Sequence, residues 1–104
     1  MDRVPKSLLD GVVRVFDPVQ VILFGSRARG DHRPDSDIDL YVIVDDDTPP
    51  ERVTSRNIGE ARRDCDEAVD ILVRRSSDFE KRSRWLNVVE RDVADEGVVV
   101  YARA

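Results

Sequence analysis

Apolar positions along the chain alternate between a helical period and short continuous runs. From Pro5 to Phe16, apolar side chains at Leu8, Leu9, Val12, Val13, Val15 and Phe16 recur at helical spacing, which predicts an amphipathic helix despite Gly11. Asp17-Pro18 ends it, because the residue before proline is pushed out of the helical region. Val19 to Phe24 and Ile38 to Val44 are apolar runs of strand length, separated by a short helical turn after Ser26 and an exposed loop over Asp31 to Pro34. The acidic cluster Asp45-Asp46-Asp47, with Thr48-Pro49-Pro50, closes the second run as a solvated turn.

Between Glu51 and Ala68, the positions Val53, Ile58, Ala61, Cys65 and Ala68 recur at three, four and seven, which predicts a surface helix. Val69 to Val73 is a third strand. Ser76-Ser77-Asp78 then starts a helix with Phe79, Trp85, Leu86, Val89 and Val93 on one face, ending near Gly97. Gly97 to Tyr101 reads as a last strand or an extended tail on the sheet. Trp85 and Cys65 read as core residues, and the sole histidine, His32, as exposed.

Composition narrows the possibilities. With 104 residues, 40% of them hydrophobic, the chain supports one small core, so a single domain over residues 1–104 is expected. A single cysteine excludes an internal disulfide, and no apolar stretch is long enough for a signal peptide or a membrane span, so a cytoplasmic protein is expected. A formal net charge of −5 argues against broad nucleic-acid binding, which requires a basic footprint.

The chemistry concentrates between Phe24 and Leu40. A strand that breaks into Gly25-Ser26 and then turns into a helix points unpaired backbone N–H groups and the Ser26 hydroxyl at whatever lies above the turn, a natural anion site. Gly25 allows close approach, and Arg27 and Arg29 add fork-shaped donors matched to phosphate oxygens. Asp37 and Asp39 alternate at the start of the second strand and so share a face, with Cα atoms about 6.6 Å apart at a rise of roughly 3.3 Å per residue. Two such carboxylates repel, and a hard divalent cation, best Mg²⁺, would relieve them. Asp70 interrupts the apolar third strand, which is costly unless it faces a polar site.

Gly-Ser, ten residues and then Asp-x-Asp, read from Gly25-Ser26 to Asp37-Ile38-Asp39, resembles the signature of the DNA polymerase beta-like nucleotidyltransferase superfamily. The form GSRARG followed by SDIDL is most similar to its minimal nucleotidyltransferases. The resemblance implies an α+β fold, a small mixed sheet of three to four strands with helices packed on it. It implies that Asp37, Asp39 and Asp70 are catalytic residues holding two Mg²⁺ ions around ATP, with Asp70 also placed to take the acceptor's proton. Gly25 and Ser26 would hold the β- and γ-phosphates, aided by Arg27 and Arg29. It further implies an antitoxin that adds AMP to a tyrosine of a partner HEPN-domain RNase toxin. Arg62, Arg63, Arg82 and Arg84, on the later helices, read either as a contact for such a partner or as a solvated face.

Three other readings compete. A small hydroxyl acceptor such as an aminoglycoside would need an acceptor pocket, which larger members of the superfamily form from a further helical region. A non-catalytic antitoxin that merely masks its partner would have no need of three intact aspartates. An EF-hand-like loop starting at Asp35 fails at its sixth position, where glycine is needed and Leu40 stands, and it would run through the apolar Tyr41 to Val44.

Overall fold

The computed structural model describes residues 4–30, 37–84 and 89–103. Along the chain come α1 (Lys6–Phe16), β1 (Gln20–Phe24), α2 (Ser26–Arg29), β2 (Ile38–Val44), α3 (Ser55–Ala61), β3 (Val69–Arg75), α4 (Ser76–Ser83), α5 (Val89–Glu96) and β4 (Val98–Ala102). The four strands form one mixed sheet in the order β3-β2-β1-β4. β1 runs antiparallel to both β2 and β4, whereas β2 and β3 are parallel.

Strand parity sorts the side chains onto two faces. On one face Val21, Leu23, Leu40, Val42, Val44, Val69 and Val73 are buried against Leu8, Val12 and Phe16 of α1 and Ala61 of α3. On the other, Ile22, Tyr41 and Ile43 are buried with Val93 of α5, and Phe24, Leu72 and Phe79 pack around them. β2 is covered on both faces, which explains why it reads as a continuous apolar run rather than an alternating one.

Gly11, an apparent flaw in α1, is where that helix crosses α3. A Cβ there would collide with the Ala61 carbonyl oxygen, so a missing side chain sets the distance between the two helices.

Two predicted helices differ from those observed. The expected helix from Glu51 to Ala68 is reduced to a 3-10 turn at Pro50–Arg52 followed by α3. The Thr54 hydroxyl accepts from the Asn57 N–H at 3.2 Å, and the Asn57 amide donates to the carbonyls of Glu51 at 3.1 Å and Arg52 at 2.8 Å. These caps turn the chain before Ser55. After Ala61 the Arg62 guanidinium donates to the Val69 carbonyl at 2.8 Å, folding the segment onto β3, and Cys65 is half-buried rather than fully enclosed. The expected helix from Ser76 to Gly97 is two helices, α4 and α5, which pack against each other. Trp85 and Leu86 lie outside the described residues, as do His32, Asp35 and the Asp31 to Pro34 loop.

The acidic turn after β2 holds the fold as well as facing water. Asp45 accepts twice from Arg103, at 3.0 and 2.8 Å, and Asp46 accepts from the Ser77 N–H at 2.9 Å, capping α4. Among the described residues no helix is long and apolar enough to cross a membrane.

One buried polar link fastens α5 to the sheet. The Tyr41 hydroxyl, in the middle of β2, donates to Glu90 Oε2 at 2.8 Å; Glu90 is only 3% exposed, and Arg74 Nε lies 3.6 Å from the same oxygen. Phe24 and Phe79 flank the Tyr41 ring. Burial, followed by the hydrogen bond to Glu90 and its charge, drives the Tyr41 pKa well above that of free tyrosine.

Two outcomes follow for stability. Gly11→Ala should lower the unfolding free energy by about 1–3 kcal/mol in chemical denaturation, as overpacking against a backbone carbonyl does. Tyr41 stays protonated in the folded state while the unfolded chain releases this proton near pH 10, so stability is full below that pH and falls above it. Tyr41→Phe should cost about 1–3 kcal/mol at neutral pH by leaving Glu90 without its donor, and should make the alkaline fall shallower.

Candidate functional site

The three aspartates lie at one end of the sheet, on or beside the face that carries α4 and α5. Register fixes two of them: Phe24, the last residue of β1, pairs with Asp39, and Asp39 pairs with Asp70 across the parallel β2–β3 ladder. Paired residues in neighbouring strands point to the same face about 4.8 Å apart, so the Asp39 and Asp70 carboxylates stand side by side. Asp37 precedes β2 by one residue, and both Asp37 and Asp70 are exposed while Asp39 is half-buried.

Asp39 carries the strain of this arrangement. Burial first, then the negative charges of Asp70 and Asp37, raise its pKa above the usual carboxylate range, with Arg29 pulling the other way. A single carboxyl thus senses the other two acids and one arginine of the predicted site.

Gly25 closes the site from the β1 side. Its φ of +75° lies in the region that side-chain-bearing residues rarely adopt, and a Cβ there would run into the Asp39 carboxylate. Both requirements select glycine, and they place the β1–α2 turn directly against Asp39. Ser26 is the first residue of α2, and the Arg29 N–H and the Ala28 N–H both bond to the Gly25 carbonyl, fixing the turn.

The two arginines behave differently. Arg27 is 11% exposed and its Nη2 donates to Glu67 Oε1 at 2.8 Å, tying α2 to the segment just before β3. That is a clamp between two walls of the site. Arg29 is about half exposed, lies 3.6 Å from Glu96 Oε2 at the end of α5, and is the cation that Asp39 senses. The anchoring acids Glu67 and Glu96 were not singled out in the sequence; each is remote from its arginine along the chain, and only charge in an otherwise polar stretch marks them.

Beside the pair, an open groove of about 520 Å³ is lined by Asp37, Asp66, Glu67 and Asp70 with Arg62. Among the described residues no three or more acids, histidines or cysteines are grouped closely enough to hold a metal ion, so Asp37, Asp39 and Asp70 share one end of the sheet without forming a ready-made cage. The donor set still suits a hard divalent cation: every candidate ligand is a carboxylate oxygen, and a cation held there would offset the burial and the carboxylate repulsion that together raise Asp39.

A half-wound mixed sheet with a glycine turn set against paired aspartates defines a nucleotidyltransferase fold. The chain belongs to the nucleotidyltransferase domain family, whose model matches residues 5–101. Among solved structures it is similar to a chain of a toxin–antitoxin complex crystallised with AMP-PNP, with TM-score 0.56 and 20% identity over 96% of this chain and 75% of that one. It is also similar to a protein from Sulfolobus solfataricus assigned as a nucleotidyltransferase, with TM-score 0.52 and 21% identity over 96% of this chain and 91% of the other. A search of curated protein sequences returns no match.

The contrast between the arginines is testable by unfolding. Arg27→Met should lower stability by about 1–2 kcal/mol, since it strands Glu67 and opens a nearly buried site, whereas Arg29→Met should leave the denaturation midpoint almost unchanged.

Proposed function

We propose that this chain is an antitoxin nucleotidyltransferase that moves AMP from ATP to a tyrosine hydroxyl of a partner HEPN-domain RNase toxin in the cytoplasm, neutralising the toxin. The observation that carries the transferase reading is the juxtaposition of the Gly25 turn, Asp39 and Asp70, imposed by strand register and by the absence of a Cβ. Membership of the nucleotidyltransferase family supports the reaction class. The likeness to a toxin–antitoxin chain crystallised with AMP-PNP, together with the GSRARG and SDIDL segments that resemble minimal nucleotidyltransferases, supports the partner and the donor.

In this reading the backbone N–H groups of the β1–α2 turn and the Ser26 hydroxyl hold the β- and γ-phosphates, with Arg29 adding a guanidinium at their edge. Asp37, Asp39 and Asp70 would hold Mg²⁺, which supplies the positive charge that neutralises the phosphate oxygens. The acceptor oxygen forms a bond to the α-phosphorus as the bond to the bridging oxygen of pyrophosphate breaks, and the acceptor's proton passes to a carboxylate oxygen of Asp70. Arg27 contributes by clamping α2 against the chain leading into β3, so that the phosphate turn and Asp70 keep their spacing.

The test is co-expression with a HEPN-domain protein from a neighbouring reading frame, followed by mass spectrometry of that protein. Wild type should add mass in steps of AMP to a toxin tyrosine, and an Asp39→Asn/Asp70→Asn variant should lower the yield by about 10³-fold or more, as expected when transition-state charge stabilisation is lost. An unmodified toxin that both forms of the protein protect equally would replace transfer with non-catalytic masking. Label passing from ATP to an aminoglycoside instead would assign a small hydroxyl acceptor.

A further inference from the structure

The β2–β3 pair has a second chemical end. Asp39 and Asp70 are partnered near its start, and Val44 pairs with Arg75 at its finish, five residues or about 16 Å further along at a strand rise of roughly 3.3 Å. There the surface forms a groove of about 450 Å³. Half-buried Val53 stands at its rim, with Val44 and Val73 buried beneath, and Arg74, Arg75, Arg82 and the Asp78 carboxylate line it.

These guanidinium groups are partly buried and held in place. Arg75 donates from Nη2 to the Thr48 carbonyl at 2.9 Å. Arg74 donates to the Val73 carbonyl at 3.1 Å and leans on Glu90 at 3.6 Å. Among the described residues, neither Arg75 nor Arg82 has a carboxylate at ion-pair distance. Of the nearby acids, Glu90 is taken by Tyr41 and Arg74, Asp45 by Arg103 and Asp46 by the Ser77 N–H, so a bound anion would supply Arg75 and Arg82 with the partner they lack.

We propose that this groove binds a compact organic phosphate, its anionic group on Arg75 and Arg82 and its remaining part against Val53. Arginine forks match phosphate oxygens, and the volume falls within the range of small-molecule sites. The whole chain carries a net charge of −5, so a long polyanion such as an RNA or an acidic protein would extend beyond the local field, which screening limits to about 8–10 Å, and meet a repelling surface. A compact ligand meets only the arginines. This site is separate from the proposed transferase centre and stands or falls independently of it.

The phosphate could come from a nucleotide or from a sugar phosphate, and titration distinguishes the two. AMP and ribose 5-phosphate are added, without divalent metal, to an Asp39→Asn/Asp70→Asn chain while the methyl resonances of Val44, Val53 and Val73 are followed by NMR. Saturable shifts of these methyls are expected for both ligands, with AMP tighter if the base packs on Val53 and equal affinities if only the phosphate is held. Arg82→Gln should weaken binding by about tenfold or more, as loss of a charge-assisted hydrogen bond does, provided circular dichroism shows its fold intact. Arg75→Gln should do the same if its fold, checked by circular dichroism, is intact, and Arg56→Gln should change nothing. Absence of saturable shifts, affinity unaltered by Arg82→Gln, shifts confined to the Gly25 turn, or tighter binding of an oligonucleotide or acidic peptide would overturn the proposal.

Discussion

The parallel, in-register pairing of β2 with β3 is the constraint from which the site follows. It places Asp39 beside Asp70 at ladder spacing, and no rotamer change in either strand could separate their backbones. An unpaired carboxylate couple on one face is unfavourable, and burial first, then the charges of Asp70 and Asp37, raise the pKa of Asp39. Most of the remaining structure keeps this unfavourable pair in place. β2 is buried on both faces, α1 and α3 close one side, and the Tyr41–Glu90 bond fastens α5 to the other, two residues along the strand from Asp39.

Strands were far more legible in the sequence than helices. β2 has the predicted boundaries, and β1, β3 and β4 differ by a residue or two, because apolar runs of strand length are bounded by Gly, Pro and acidic turns. Helical periodicity reports which residues share a face but not whether the chain is continuous between them. The 51–68 stretch keeps its apolar spacing although caps at Thr54 and Asn57 break it. Phe79 and Val93 both reach the same core although they sit on separate helices packed against each other. Local capping decided the first case and tertiary packing the second, and apolar periodicity reports neither.

The candidate site was legible to the extent that its residues are close in sequence. Gly25, Ser26, Asp37 and Asp39 form a compact motif, and Asp70 betrayed itself as a charge in an apolar strand. Arg27 and Arg29 look equivalent in GSRARG. They are told apart only by their partners, Glu67 forty residues on and Glu96 sixty-seven residues on, and by the burial of Arg27 against the connection to β3. The Tyr41–Glu90 link was missed for the same reason. A signal existed, since a hydroxyl in the middle of a strand buried on both faces must find an acceptor, but the acceptor's identity depends on how α5 docks.

One ladder also gives the domain its polarity. At the start of the β2–β3 pair the outward chemistry is carboxylate and would attract cations; at its finish it is guanidinium and would attract anions. The two ends are coupled through strand register: a one-residue slip of β3 would turn Asp70 away from Asp39 and, at the same time, carry Arg74 off the face where Glu90 receives it. The buried Arg74–Glu90–Tyr41 contacts thus guard the register on which the aspartate pair depends, since a slipped strand would leave Glu90 short of a cation in an apolar layer. A polar cluster inside an otherwise aliphatic sheet face costs desolvation, and here it disfavours the misaligned pairings that valines and leucines alone would tolerate.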